Sequence, residues 1–390
     1  MYLQEKPDPK LNHLSEEHAE IIKATLPPVG ENIETITKTF YNKMFTAHPE
    51  LIANTFNRGN QKQGAQQKAL AASVATFATQ LVDPNAPDPV MMLDRIAHKH
   101  VSLGIRKDQY QIVHDNLMAA IAEVLGDAVT PEVAEAWDAV YWLMADVLIK
   151  HEAKLYESDG VTDGDVFRRA EVTAKEQLTD SVYAYTLSGD FTAPRPGQYT
   201  SVGVTLDDGA RQLRQYSIIE GDEHSYRIAV ETDGEVSTFL RDHVAIGDTV
   251  DATLAAGDLV LQDSDNPVVL ISSGIGSTPM VGILGHLSRT HSDRKVTYLH
   301  ADNSEDSWAQ QAETRALAEA LADANVTATF RSQDQRINVA EADLAGADVY
   351  LCGGANFLQG IRDDIAALPA DKAPANVYFE LFSPNDWLIN

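Results

Sequence analysis

The sequence predicts a multidomain protein with an all-helical region, an antiparallel β-barrel and an α/β region built on a doubly wound parallel sheet. Three patterns along its 390 residues support this division. Up to about residue 156, apolar residues recur at helical spacing and strand signals are few. Short alternating runs separated by turn residues follow, which is typical of a small barrel. From residue 266 onward, apolar strands alternate with amphipathic helices.

Length, charge and cysteine content exclude several classes of protein. A chain of 390 residues is too long for one ordinary core, and 44% hydrophobic residues are enough for several. The 58 acidic residues exceed the 30 basic ones, and the net charge of −28 disfavours nucleic acid and anionic membranes as partners. The sequence shows no signal peptide, no apolar run that could span a membrane, and a single cysteine. We therefore expect a cytoplasmic protein with no disulfide, no stable membrane association and no obligate protein partner.

The helical region is organised around the segment from Arg95 to Tyr110. Its pattern predicts helices over 16–26, 31–45, 63–82, 108–125 and 131–156, with Pro27 and Pro28 separating the first two. His100 falls on the apolar face of its own helix, and His98 falls on the opposite face, toward water. A histidine on an apolar face is usually a core residue with a hydrogen-bond partner, and a haem ligand is the alternative.

Six segments of this region resemble a bacterial globin domain, in order and at similar spacing. They are FYNKMF around Tyr41, Phe56 with its NRGNQ loop, the Gln66–Leu70 pair, IAHKH ending at His100, DQY ending at Tyr110, and HEAKLY around Glu152. The resemblance implies that residues 1–155 bind one b-type haem through His100. Tyr41 and Gln66 would be distal hydrogen-bond donors, Leu70 a distal wall and Phe56 a packing residue on the porphyrin. Glu152 and Tyr110 would bond to His100, although helical phase alone favours His151.

Residues 156–265 resemble the flavin domain of the ferredoxin–NADP reductase superfamily. The segments PGQY, RQYS and GEVSTFL carry the resemblance together, because RQYS alone is a weak signal. It implies an FAD site in which Arg214 pairs with the pyrophosphate and Tyr216 packs on the isoalloxazine. The helix that Ser237 begins would offer N–H groups to phosphate. The residues assigned to this site are Tyr199, Arg214, Gln215, Tyr216, Ser217, Gly234, Val236 and Ser237.

Residues 266–390 resemble the nucleotide domain of the same superfamily. A glycine-rich turn follows the first strand, and its residues are Gly274, Ile275, Gly276, Ser277, Thr278 and Pro279. Cys352 and Gly353, in YLCGG, would flank the nicotinamide. The chain's ending is similar to the part of the family that covers the flavin, and comprises Glu380, Leu381, Phe382, Ser383 and Pro384. Related proteins usually have Gln at position 277, Pro at 354, Cys at 381 and Gly at 383.

The strand KVTYLHA is followed by a loop that bears on the choice of nucleotide. The loop contains the carboxylates Asp302, Glu305 and Asp306 and no Arg or Lys. In this fold the loop contacts the adenosine ribose, where carboxylates would repel a 2′-phosphate. We therefore expect NADH to be preferred over NADPH.

Taken over the whole chain, the three resemblances are to the flavohaemoglobins. They imply an enzyme in which NAD(P)H reduces FAD, FAD reduces the haem, and dioxygen and nitric oxide are converted to nitrate. Lys99 and Glu380 match positions where the family places charges near the flavin–haem contact. A haem-linked hydroperoxide or quinone reductase is an alternative. A non-enzymatic oxygen carrier or gas sensor is another, but it needs no complete reductase.

Overall fold

The structure is a computed structural model that describes residues 14–54, 56, 58, 65–83 and 90–382. Two compact units divide the chain. One comprises the residues up to Phe167 together with Asp207–Leu213, and the other comprises Arg168–Leu206 and the residues from Arg214 onward. The first unit is mainly helical, and the second contains the parallel sheet and most of the barrel. The further division of the second unit at residue 265 stays a prediction.

Seven α-helices are described in the first unit. They are α1 (Glu16–Glu31), α2 (Ile33–Ala47), α3 (Pro49–Asn54), α4 (Ala65–Val82), α5 (Val90–Val101), α6 (Gln109–Leu125) and α7 (Pro131–Ser158). Thr130 caps α7, because its hydroxyl accepts a hydrogen bond from the N–H of Val133, and Pro131 occupies the first helical position. The helix α5 packs on α7 and α2 packs on α6. The contacts of His151 and Glu152 bring the C-terminal third of α7 beside α5.

The predicted break between the first two helices is wrong. Residues 16–26 do form a helix, but it continues through Pro27 and Pro28 to Glu31. Proline removes a backbone donor and crowds the preceding turn, which normally ends a helix. Here Ile22 and Val29, seven residues apart on one face, are both buried. Burial of these two side chains offsets the free energy that the prolines cost the helix. Such packing against other helices cannot be predicted from the local sequence.

The middle of the chain forms a closed six-stranded antiparallel barrel, as predicted. Its strands lie in the order β1-β2-β5-β4-β3-β6. They are β1 (Phe167–Gln177), β2 (Val182–Ser188), β3 (Tyr199–Thr205), β4 (Arg211–Gly221), β5 (Ser225–Glu231) and β6 (Thr249–Thr253). A single helix, α8 (Glu235–His243), follows β5 and places its first turn beside β4.

The C-terminal part is a five-stranded parallel sheet in the order β11-β10-β7-β8-β9. Its elements are β7 (Val268–Ser273), α9 (Ser277–Arg289), β8 (Val296–Asp302), α10 (Gln311–Glu319), β9 (Ala324–Phe330), β10 (Asp348–Gly353), α11 (Ala355–Ala366) and β11 (Asn376–Leu381). The strand order reverses between β7 and β10, which is where ligands bind in such sheets. The helix α10 begins only at Gln311, because Trp308 is extended and separates it from the preceding 3₁₀ turn.

No helix in the described part of the chain is long and apolar enough to cross a membrane.

Candidate functional site

His100 lies at the end of α5 and is held by two buried side chains. Its Nδ1 is 2.7 Å from Glu152 Oε1 and 3.1 Å from the Tyr110 hydroxyl. Tyr110 in turn donates a hydrogen bond of 2.6 Å to the same Glu152 oxygen. Burial, followed by the charge of Glu152, raises the pKa of Tyr110, so the phenol keeps the proton that it donates.

This network fixes the tautomer of His100. A carboxylate only accepts hydrogen bonds, so the proton of the ring must be on Nδ1, which faces Glu152. The lone pair is then on Nε2, the atom that binds a metal. Glu152 is 2% exposed, whereas the side chain of His100 is 31% exposed. The ring is therefore anchored on one side and accessible on the other.

The neighbouring histidines differ from the expectation from helical phase. His151 is buried as predicted, but its Nε2 is 2.5 Å from Asp94 Oδ1, and the bond to His100 comes from Glu152. The prediction that His98 faces water is wrong. Its side chain is only 15% exposed and lies beside Asp94 and His151, because α7 covers that face of α5. A single-helix pattern does not show which helix covers it.

Tyr41 lies in α2 within a group of aromatic rings. Its ring centroid is 5.5 Å from that of Phe45 and 6.0 Å from that of Phe56. Burial raises the pKa of Tyr41, so its hydroxyl stays protonated. That hydroxyl makes no hydrogen bond to another described residue, which leaves it able to donate to a ligand.

The two other residues expected on the distal side of the haem lie in α4. Leu70 is partly buried, and the backbone of Gln66 is helical. The side chain of Gln66 lies outside the described part of the chain, so its assigned role stays a prediction.

The residues assigned to the flavin pyrophosphate meet at the start of α8. Arg214 Nη2 on β4 is 3.6 Å from Glu235 Oε1. Ser237 Oγ accepts hydrogen bonds from the backbone N–H groups of Asp233 and Gly234, at 3.0 and 2.9 Å. The helix begins at Glu235 rather than at Ser237, and its second residue, Val236, is fully buried. A guanidinium and a helix N-terminus together are suited to phosphate.

The remaining flavin candidates lie on β3 and β4. The hydroxyl of Tyr216 is buried and has no hydrogen-bond partner among the described residues. Ser217 and Tyr199 are buried, and Gln215 Nε2 donates to Ser201 Oγ at 3.0 Å. A buried phenol without a partner costs free energy unless a ligand satisfies it.

The glycine-rich turn after β7 needs its glycines for different reasons. Gly274 has a φ of 53°, in the left-handed region that favours glycine. A Cβ at Gly276 would lie 2.5 Å from the carbonyl oxygen of Cys352, and one at Gly353 would lie 2.5 Å from Ser273 Oγ. The turn and the end of β10 therefore approach backbone to backbone. Ile275 is partly buried, and Thr278 and Pro279 are buried within the first turn of α9.

Gln310 is a residue of this turn region that the sequence motifs did not reveal. Ser277, which replaces the family's usual Gln, is fully buried and donates a hydrogen bond to Gln310 Oε1. Gln310 Nε2 is buried and makes no hydrogen bond to a described residue. Gln310 thus places a side-chain amide directly beside Ser277, in the first turn of α9. Its distance of 33 positions in sequence gave no local signal.

The last described strand, β11, lies beside β10. Glu380 and Leu381 are in register with Cys352 and Gly353, and Phe382 follows with 50% exposure. Ser383 and Pro384 lie outside the described residues. In the helical unit, Lys99 is exposed on α5. The roles expected for Lys99 and Glu380 stay predictions.

The loop after β8 is ordered by its own side chains. Asp302 accepts hydrogen bonds from Ser307 Oγ at 2.5 Å and from the N–H of Asn303 at 2.6 Å, while Glu305 and Asp306 are exposed. Burial opposes ionisation of Asp302, but its hydrogen bonds with His300 and Ser307 hold its pKa below the ordinary value. The loop thus presents negative charge at the end of β8.

Comparison with known proteins agrees with this division of sites. A globin family model matches residues 38–148, and a model of the oxidoreductase NAD-binding domain matches residues 270–363. The flavohemoprotein of Chromobacterium violaceum is 36% identical and that of Deinococcus radiodurans is 37% identical. Each alignment covers 95% of this chain and 98% of the relative. The chain belongs to the flavohemoprotein family.

Solved structures support the fold of this flavohemoprotein. The crystal structure of a flavohemoglobin from Malassezia yamatoensis with bound FAD and haem has a TM-score of 0.88 and 34% identity, over 95% of this chain and 100% of that one. The FAD/NAD-binding domain of a nitric oxide dioxygenase from Vibrio cholerae has a TM-score of 0.51 and 32% identity, over 55% of this chain and 98% of that one. This flavohemoprotein is an oxidoreductase that uses haem, FAD and a nicotinamide nucleotide.

The residues present are suited to these three groups. For haem, the donor set decides, because His100 offers Nε2 while Glu152 and Tyr110 hold Nδ1. For FAD, the phenol of Tyr216 has no hydrogen-bond partner among the described residues, and Arg214 lies beside the start of α8. For the nicotinamide nucleotide, Gly276 lets the turn after β7 approach Cys352 at the end of β10, where the strand order of the sheet reverses. These assignments of a flavohemoprotein's cofactors to individual residues are our predictions.

Proposed function

We propose that this protein converts nitric oxide and dioxygen to nitrate, with electrons from NADH. The observation that carries the proposal is the hydrogen bond of 2.7 Å between His100 Nδ1 and the buried carboxylate of Glu152. Such a bond gives the imidazole partial anionic character, and an electron-rich ligand favours oxygen activation over simple carriage. When bound, FAD supplies the conversion of a hydride into single electrons, and haem supplies an iron centre for dioxygen.

Tyr110 contributes by keeping Glu152 in place. Its hydroxyl donates to Glu152 Oε1 and lies 3.1 Å from His100 Nδ1. Side chains from α5, α6 and α7 therefore hold one another in position through hydrogen bonds. The carboxylate is 2% exposed, and water does not compete for it. The ring of His100 is therefore held at a set angle with its basicity raised.

Tyr41 contributes on the distal side. Its protonated, buried hydroxyl can donate to a ligand that gains negative charge, and low polarity around it strengthens that bond. The aromatic rings of Phe45 and Phe56 limit where the phenol can point. Gln66 would add a second donor. Together these groups would slow the loss of dioxygen before nitric oxide arrives.

The test is nitric oxide consumption by the full-length protein loaded with haem and FAD. Nitric oxide loses three electrons on becoming nitrate and dioxygen takes up four, so each turnover needs one electron and one NADH supports two. Consumption measured with an electrode should require both dioxygen and NADH, and nitrate should account for the nitric oxide lost. Rapid hydroperoxide reduction without nitrate formation would instead assign the alternative reductase activity.

A further inference from the structure

We propose that Asp94, His98 and His151 bind a divalent transition-metal ion of the zinc class, at a site of their own. Asp94 and His98 are four residues apart on α5 and so share one face of the helix, and His151 reaches them from α7. Asp94 Oδ1 lies 2.5 Å from His151 Nε2 and 3.8 Å from His98 Nε2. One ligand atom from each residue lies within 4.8 Å of the others.

The distances are close to those that a metal ion requires. Zinc bonds to nitrogen and to carboxylate oxygen are about 2.0–2.2 Å long, so ligand atoms around one ion are roughly 3–4 Å apart. The His98 contact already meets that spacing, and the His151 contact needs an opening of under about 1 Å by side-chain rotation.

The donor set selects the class of ion. Two imidazoles and one carboxylate suit zinc, cobalt, nickel or ferrous iron, whereas magnesium and calcium prefer oxygen ligands. The carboxylate of Asp94 accepts a hydrogen bond from His151, and three protein ligands leave further coordination positions for water.

The side chains are largely shielded from solvent, which distinguishes this group from a surface cluster. The exposed fractions of Asp94, His98 and His151 are 14%, 15% and 8%. Among the described residues, the hydrogen bond to Asp94 is the one that orients the His151 ring. A bound ion would link α5 to α7 next to His100 and Glu152, which are on the same two helices.

Zinc binding by the full-length protein carrying haem and FAD tests the proposal. Equilibrium dialysis followed by elemental analysis should find one zinc ion per chain beyond the haem iron. Asp94→Asn and His151→Gln should each weaken binding by about tenfold or more, because changes even outside the ligand shell cost 10–100-fold. The matched control is His114→Gln. That ring lies 2.8 and 2.7 Å from the carboxylates of Asp115 and Asp138, and its loss should leave zinc binding unchanged.

A second measurement avoids dependence on variants that fold poorly. X-ray absorption at the zinc edge of the wild-type protein should show two imidazoles and one carboxylate in the first coordination shell. A shell without imidazole would overturn the proposal. So would wild-type protein that binds no zinc, or Asp94→Asn and His151→Gln proteins that bind it with wild-type affinity.

Discussion

At the scale of single residues, we expect the carboxylate of Glu152 to increase the electron donation of His100. Replacing it by the amide in Glu152→Gln keeps the shape but removes the negative charge that polarises the ring. The iron–histidine stretching frequency in resonance Raman spectra of the ferrous protein should therefore fall. His151→Gln is the matched control, since its ring is turned to Asp94, and its frequency should stay at the wild-type value. The reverse pattern would reassign the partner of His100.

The hydroxyl of Tyr41 gives a second prediction at this scale. Tyr41→Phe removes a buried donor while the ring contacts with Phe45 and Phe56 remain. A hydrogen bond to a charged acceptor contributes about 1.5–3 kcal/mol, so the oxygen dissociation rate should rise about tenfold or more. Stopped-flow spectroscopy measures that rate, and nitric oxide turnover should fall most at low oxygen. NADH–dye reduction is the control and should not change.

Single residues also show which parts of the candidate site could be predicted from the sequence. Helical phase placed His100 on the apolar face of α5, but it wrongly placed His98 toward water, because the neighbouring helix α7 covers that side. Phase failed for His151 and Glu152, which are neighbours on α7, since both are buried but contact different residues of α5. The family resemblance, rather than periodicity, identified Glu152. Gln310 was missed because its partner Ser277 lies on a different element.

At the scale of elements, the turn from β7 into α9 depends on close backbone approach. Gly276→Ala would place a methyl group 2.5 Å from the Cys352 carbonyl, and overpacking of this kind costs about 1–3 kcal/mol. Calorimetry should show a lower unfolding temperature, and the KM for NADH should rise. Gly360→Ala is the control, because that glycine is in α11 with no atom within 4 Å of the added group. The control should be as stable as wild type or slightly more so. Equal stability and KM in both variants would contradict the assigned role of the turn.

The loop after β8 predicts the choice of nucleotide. Its carboxylates Asp302, Glu305 and Asp306 follow the second strand of the parallel sheet, where the adenosine ribose binds in this architecture. The 2′-phosphate of NADPH would meet negative charge there, so kcat/KM for NADH should exceed that for NADPH. The double variant Glu305→Gln, Asp306→Asn should lower the ratio of kcat/KM for NADH to kcat/KM for NADPH. Asp371→Asn serves as the control, because Asp371 is exposed and far from this loop in sequence. Similar kcat/KM values in the wild-type protein would refute the assignment.

Elements were predicted better than their ends. The antiparallel barrel and the parallel sheet were predicted from short runs separated by turn residues and from strands that alternate with helices, because these patterns report local burial. The first helix was cut short at Pro27, since the burial of Val29 that sustains it depends on other helices. The helix α10 begins only after Trp308, whose backbone is extended although tryptophan is not a helix-breaking residue.

At the scale of the whole molecule, the net charge of −28 should make stability depend on salt. Like charges repel more strongly in the folded state, and the screening length falls from about 30 Å at 0.01 M to about 3 Å at 1 M. The unfolding temperature at pH about 7.5 should therefore rise with sodium chloride. Near pH 5, close to the sequence pI of about 4.6, the same addition should raise it less. An unfolding temperature that falls with salt at pH about 7.5 would exclude dominant self-repulsion.

The 28-residue helix α7 constrains how the chain length can vary. His151 and Glu152 follow one another on α7, yet they bond to Asp94 and His100, six positions apart on α5. One inserted residue turns everything after it by about 100°. An insertion or deletion within α7 before these residues would therefore turn both side chains away from their partners on α5. No single later substitution would restore both hydrogen bonds. The segment 159–166, where the helix has ended, can change length without this effect.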